Sequence, residues 1–314
     1  QNFRFIKQTS PELVMILSGD HIYEMNYEPM ITFHRDQQAE VTIATISVPL
    51  AEASRFGVLN VNADYQVQSF VEKPAHPTSN LANMGVYLFN LDVLDKVLWK
   101  DHESKTSNHD FGKDILPSLV AEGARLFAYP YSGYWMDVGT VESYWQAHMD
   151  LLNDHPSINL NDRSWIIHTR TEERPPARLS RDSVVIDSMV SDGCEIARGC
   201  HIERSVLSPG VIVHPGAFVR ESVILTGTTI GAGATIEHTI IDKRVYIGEK
   251  ARVGAFQDVL PPSLVMVGKN SQIPAGLDID PGAIFGTYVI SEDFSSNRVR
   301  GDELIETGRK PYEV

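Results

Sequence analysis

Apolar and polar positions follow two different rhythms along this chain, and the rhythm changes near residue 180. Before that point, short apolar runs alternate with stretches of helical period. Residues 14–17 read as a buried strand, 27–38 as a helix, and 41–48, with Val, Ile and Thr in succession, as a second strand. Residues 57–61 and 67–71 read as short strands on either side of a turn at Asn62, Ala63 and Asp64. A strand over 84–90 leads into a helix over 91–99. A helix over 114–122 stops near Gly123, a strand comes next over 126–130, and a helix over 140–153 has Thr140 as its cap. This order predicts an α/β or mixed-sheet domain.

After residue 155 the chain turns polar and proline-bearing, as suits a linker over 156–182. From about Ser183 apolar residues recur every six positions: Ile196 and Ile202; Val213 and Val219; Ile224, Ile230 and Ile236; Ile241, Ile247 and Val253. Glycines lie between them. A period of six fits neither a helix nor an alternating strand. It predicts a parallel β-helix over 183–314, in which each hexad forms one side of a triangular coil. Terminal coils need covering, and residues 291–314, which lack the repeat, are expected to supply that cover.

Composition narrows the function. A length of 314 residues suits two domains. The net charge of −14 argues against nucleic acid and against an anionic membrane surface as partners. An acidic protein that binds phosphates must gather its cations locally or use a metal. The 2 cysteines, Cys194 and Cys200, fall inside the repeat, so buried packing in a reducing cytoplasm is expected rather than a disulfide. No apolar run is long enough to span a bilayer. The chain opens on Gln1 with no signal peptide, and reads as beginning inside a domain.

Four segments carry candidate chemistry. Residues 12–21 form an apolar run that ends in Gly19-Asp20-His21; an aspartate beyond a strand can hold a divalent metal, or can simply cap a helix. Phe70-Val71-Glu72-Lys73-Pro74 puts a carboxylate suited to sugar hydroxyls beside an ammonium suited to a phosphate, or else a surface ion pair. Tyr134-Trp135-Met136-Asp137-Val138-Gly139-Thr140 offers Asp137 as a second metal carboxylate, or as a residue that only precedes a helix. Residues 107–114 offer Asp110 for a sugar hydroxyl, Phe111 for a sugar ring and Lys113 for a phosphate, with His109 as a loop hydrogen-bond partner. No zinc spacing, Ser-His-Asp set or cysteine nucleophile is present.

In order and spacing, these segments resemble the sugar-nucleotide pyrophosphorylases. Residues 18–23, 52–58, 109–114 and 134–140 are most similar to the bacterial ADP-glucose-forming branch. The resemblance implies a Rossmann-like nucleotidyltransferase domain over 1–155, followed by a left-handed β-helix for oligomerisation and regulation. It implies that Asp20 and Asp137 hold Mg²⁺, and that Lys73 grips the phosphate of glucose 1-phosphate. It further implies that Glu72, Asn83, Gly85, Asp110, Phe111 and Trp135 line the sugar pocket. Asn83 stands where the family often has Ser, and Met136 where it often has Arg. The family's Gly-rich nucleotide loop has no counterpart in the sequence, so the nucleotidyltransferase domain reads as incomplete.

The activity implied is adenylyl transfer from ATP to α-D-glucose 1-phosphate, giving ADP-glucose and pyrophosphate for glycogen synthesis. The family's usual form is a cytoplasmic homotetramer controlled by a sugar-phosphate or glycolytic effector. The competing readings are another nucleotide or sugar phosphate, a non-catalytic regulatory subunit, and a hexapeptide-repeat acyltransferase using His201, His214 or His238.

Overall fold

The computed structural model describes residues 3–169, 172–254, 263–301 and 303–310. The chain divides into two compact units, Gln1–Met136 and Asp137–Val314. Among the described residues no helix is long and apolar enough to cross a membrane.

The first unit is built on one mixed sheet. Its elements in order are α1 (Phe3–Lys7), β1 (Leu13–Leu17), β2 (His21–Tyr23), α2 (Glu28–Asp36), β3 (Val41–Ser47), β4 (Gly57–Val61), β5 (Val67–Glu72), β6 (Leu81–Asn90), α3 (Leu91–Glu103), α4 (Leu116–Ala121), β7 (Leu126–Pro130) and β8 (Trp135–Asp137). The sheet runs β5-β4-β6-β3-β7, with β1 also on β6. Only the β3–β7 pair is parallel. Helices cover both faces, which is why β3 and β6 read as near-continuous apolar runs. Val41, Ile43, Tyr87 and Phe89 pack with Leu94, Val97, Leu116 and Leu119 on one side. Ala44, Val86 and Leu88 pack with Met30 of α2 on the other. Each such large apolar side chain contributes roughly 1.5–3 kcal/mol by leaving water.

The registers on β6 reveal a split in this sheet. One edge of β6 pairs with β3 along most of its length. The other edge is shared. Leu81 and Ala82 pair with β4, whereas Val86 to Asn90 pair with β1. Between them lie Asn83, Met84 and Gly85. There β6 bulges: Tyr87 faces Ile43 and Asn83 faces Thr45, so four steps on β6 match two on β3. Such bulges bend a strand and re-aim its groups. The end of β1 and the start of β4 both point at this split.

The second unit begins with α5 (Val141–Asp150). Thr140 caps it as the sequence predicts, accepting from Ser143 N while the Ser143 side chain returns to the Thr140 backbone. The expected first domain, ending at 155, would include this helix. Its contacts group it with the coil instead: Trp145, Met149 and Leu152 pack with Val206, Val223, Ile240 and Leu264. Trp145 Nε1 donates to Glu221 O at 2.7 Å.

The coil is a parallel β-helix with, among the described residues, three sheets of 7, 7 and 6 strands. Val184, His201, Phe218, Thr235 and Arg252 face one another on successive turns, and matching positions lie 17 residues apart. The turn is therefore two hexads and one pentad, not three hexads. The shortened corner is tight: Asp187, Arg204, Glu221 and His238 all adopt positive φ there, between 42° and 46°. The next residues form a hydroxyl ladder. Ser188, Ser205 and Ser222 accept from Ser205 N, Ser222 N and Thr239 N, and each donates to the carbonyl two residues before it. Inside, Ile196, Val213, Ile230, Ile247 and Ile273 stack as one buried row, and Cys200 continues as Ala217, Ala234 and Ala251 in another. Burial raises both thiol pKa values, so Cys194 and Cys200 are packing residues.

Two boundaries differ from the sequence reading. The first rung is Arg178–Leu179, paired with Glu195–Ile196, inside the stretch expected to be linker. The tail that lacks the six-residue signal still coils: Arg298–Val299 and Leu304–Ile305 extend two of the sheets. Polar residues interrupt the period there, but Val299 keeps its buried place. Residues 311–314 of the expected cover lie outside the described residues.

Candidate functional site

Asp20 comes just after β1 and stands at the split. Ser18 N donates to Gly85 O at 3.1 Å, and Ser18 Oγ donates to Asp20 Oδ1 at 2.6 Å. That hydrogen bond, with His21 nearby, holds the Asp20 carboxyl below its ordinary range. The group is ionised, yet 67% of its side chain is exposed. His21 reaches the bulge itself with its other ring nitrogen: Nδ1 bonds Met84 O at 2.8 Å.

Across the split, Glu72 ends β5 opposite Gly57 of β4. Its carboxylate sits where two glycines leave room. A Cβ on Gly57 would lie 2.7 Å from Glu72 Oε2, and one on Gly112 would lie 2.6 Å away. Burial pushes the Glu72 pKa up, the Lys73 ammonium pulls it down, and Asp110 adds a further push up. Among the described residues no donor bonds this half-buried carboxylate. Lys73 then leaves the strand with φ of 46°, a left-handed turn that costs a non-glycine residue about 1–2 kcal/mol. Its backbone N–H bonds Phe56 O at 3.1 Å, and its side chain is exposed. The bland reading of a Glu72–Lys73 surface ion pair is not what forms, since no such pair lies within bonding distance.

Trp135 links the two sides. Its ring meets His21 edge-on at 5.2 Å and Phe56 at 5.3 Å. Its Nε1 is buried without a hydrogen-bond partner. A donor left unpaired in this way costs about 1–3 kcal/mol, so the site holds a donor awaiting an acceptor.

The remaining candidates are engaged in structure. Asn83 Oδ1 accepts from Gly85 N at 2.9 Å, and Asn83 Nδ2 donates to Tyr87 OH at 2.8 Å. Burial raises the Tyr87 pKa to about 12. Asp110 caps the turn Phe111–Ile115, with Oδ1 accepting from Gly112 N and Lys113 N, which leaves Oδ2 for any sugar hydroxyl. Phe111 stacks on Tyr87 at 5.6 Å, so one face of its ring belongs to the core. His109 is the loop partner expected, with Nδ1 2.7 Å from Asp101 Oδ2. Asp137 is the last residue of β8 and the first of the second unit; its Oδ1 accepts from Gly139 N at 2.9 Å, while Thr140 does the capping.

Sequence reasoning missed Ser18, Phe56, Gly57, Gly112 and Tyr87. Gly57 and Gly112 each lie inside a segment quoted for the resemblance, but which side chain their missing Cβ admits depends on strand pairing.

Two family models match the chain. The Nucleotidyl transferase family model matches residues 1–154, and the GlmU-like, C-terminal hexapeptide model matches residues 175–259. A glucose-1-phosphate adenylyltransferase of Geobacillus stearothermophilus is 49% identical over 196 residues, which is 62% of this chain and 51% of that protein. The enzyme of the same name from Bacillus mycoides is 49% identical over 62% of this chain and 52% of its own length. That of Bacillus cereus is 48% identical over the same shares. The chain thus spans about half the length of the curated relatives it matches.

Proposed function

We propose that this chain, a nucleotidyl transferase domain followed by a hexapeptide β-helix, serves adenylyl transfer from ATP to α-D-glucose 1-phosphate. The products are ADP-glucose and pyrophosphate, for glycogen synthesis. The observation that carries this reading is the Glu72 carboxylate: half-buried, given room by Gly57 and Gly112, and bonded by no donor among the described residues. A sugar hydroxyl supplies the donor it lacks. The exposed ammonium of Lys73, the next residue, neutralises the phosphate carried by the same sugar. The names of the relatives supply the nucleotide and the sugar.

The reaction needs no covalent enzyme intermediate. A phosphate oxygen of the sugar phosphate attacks the α-phosphorus of ATP and pyrophosphate leaves, so the protein contributes positioning and charge. Asp20 suits Mg²⁺ in kind: an exposed, ionised carboxylate with one oxygen fixed by Ser18 offers the hard oxygen donor that ion prefers. Bound there, Mg²⁺ would supply positive charge to phosphate oxygens. Asp137 is proposed as a second ligand on sequence resemblance alone. Homotetramer assembly and control by a sugar-phosphate or glycolytic effector belong to the same proposal. Exposed apolar side chains on the coil, among them Ile212, Tyr246, Ile284 and Leu304, favour an assembling surface.

The test is Lys73→Ala in the full-length gene product. It should raise the glucose 1-phosphate concentration needed for half-maximal rate by about tenfold or more, a loss of roughly 1.4 kcal/mol, with a smaller change for ATP. An unchanged sugar-phosphate dependence removes Lys73 from the pocket. Turnover with another sugar phosphate but not with glucose 1-phosphate would overturn the substrate.

A further inference from the structure

We infer that Asn83 is a positioning residue that locks the bulge of β6 and through it seats the loop carrying Asp20. The resemblance implies Asn83 and Gly85 as walls of a sugar pocket. The geometry gives both residues another task. Asn83 Oδ1 takes Gly85 N at 2.9 Å, closing the bulge on itself, and Asn83 Nδ2 is anchored on Tyr87 OH at 2.8 Å. Gly85 is thereby held at φ +68°, where a Cβ would lie 3.1 Å from both Ser18 Cβ and His21 Cε1.

The two carbonyls that the bulge turns outward are the ones the Asp20 loop uses. Gly85 O receives Ser18 N at 3.1 Å, and Met84 O receives His21 Nδ1 at 2.8 Å. A carbonyl only accepts, so Nδ1 carries a proton, and Nε2 faces Asp20, 3.7 Å from Oδ1. Ser18 in turn holds that same oxygen at 2.6 Å. Asp20 is flanked by two residues, and both are moored to the bulge that Asn83 closes. Tyr87 OH, stacked under Phe111, is the fixed end of the chain of contacts. Anything that loosens Gly85 moves both moorings at once, without touching Asp20. Serine at position 83, with its shorter hydroxyl, still offers an acceptor to the N–H two residues on.

This inference rests on the reading of Asp20 as a metal ligand only for its functional consequence, and the experiment separates the two. The chain is labelled with ¹⁵N-histidine, His21 is assigned with His21→Gln, and Mn²⁺ is titrated as the metal probe by electron paramagnetic resonance. Asn83→Ala should shift the His21 Nδ1 signal away from its hydrogen-bonded position and weaken Mn²⁺ binding by about tenfold, as loss of an outer partner of a metal ligand does. Asn83→Ser should restore both. Tyr87→Phe, which spares the bond to Gly85, should leave the His21 signal nearer the parent than Asn83→Ala does. An unchanged His21 signal in a folded Asn83→Ala protein overturns the inference. If Asp20→Asn leaves Mn²⁺ binding untouched, the metal reading falls, and the His21 signal alone decides the role of Asn83.

Discussion

Glycine does opposite work in the two units. In the sheet unit, the missing Cβ of Gly112 makes room for a side chain, the Glu72 carboxylate, which is the end of a flexible group. In the coil, the missing Cβ of Gly248 makes room for backbone: a Cβ there would lie 2.3 Å from Ala275 N. Left-handed residues divide the same way. In the coil they recur at the same corner of successive turns, from Asp187 to Arg204, Glu221 and His238. In the sheet unit they follow no repeat, falling at Ser10, Gln38, Tyr65, Lys73, Gly85, His109 and Gly123, and of these Lys73 and Gly85 lie beside candidate site residues. An irregularity that repeats belongs to the architecture; one that occurs once, beside polar groups without partners, points to chemistry.

The sharpest way to break this contrast is Gly248→Ala. With no flexible group to yield, it should cost roughly 3 kcal/mol of coil stability, read as a lower urea midpoint. An unchanged midpoint would mean that the coil can breathe at that corner. Ser222→Ala comes next. It removes the acceptor of the buried Thr239 N and should cost about 1–3 kcal/mol; a neutral result would reduce the ladder to decoration. Gly112→Ala should leave the unfolding midpoint almost unmoved. It should nonetheless weaken glucose 1-phosphate binding by about tenfold, roughly 1.4 kcal/mol, because Glu72 yields rather than the fold. Equal binding in calorimetry would take Glu72 out of the pocket.

The smallest effect concerns pH. His34 is buried between Thr42 Oγ1 and Asn90 Oδ1, and burial lowers its pKa. The unfolded chain takes up a proton near pH 6.5, whereas the native chain resists it to a lower pH. The stabilisation is therefore complete above about pH 6.5 and is lost as pH falls toward the native value. Protection of the β3 amides, taken relative to their intrinsic exchange rates, should fall as pH drops from roughly 7.5 to 5.5, and His34→Gln should flatten that fall.

The elements of both units were largely legible in the sequence because each rests on local pattern. Val41, Ile43, Phe89 and Leu94 announce their burial by spacing, and Thr140 announces its cap. The coil showed itself through Ile230, Ile236 and Ile247, yet its pentad corner did not. The five-residue step from Ile202 to Leu207 hides among sixes unless the strands are aligned. The site was legible as residues but not as relations. Glu72 and Asp20 could be named, but the split that Asn83 and Gly85 fill depends on which strand pairs with which half of β6. Phe111, an aromatic in a polar loop, suits a sugar ring; that Tyr87 stacks against one face of it shows only in the fold.

The registers of the coil also have a consequence for what the protein can accept. Equivalent positions lie 17 residues apart as far as the pair Thr235 and Arg252, and for the strands from Thr239 to Val253 the next partner lies 26 residues on, with Thr239 facing Val265 and Arg252 facing Asp278. Pairing resumes in the same sheets, with Val253 facing Ile279 and Ile241 facing Val267. Extra sequence that lies between two paired rungs without ending their pairing marks a natural port for grafting. A peptide epitope or an affinity tag inserted between Gly254 and Ser263 would be tolerated, whereas a single residue removed within a rung would throw every later side chain to the wrong face.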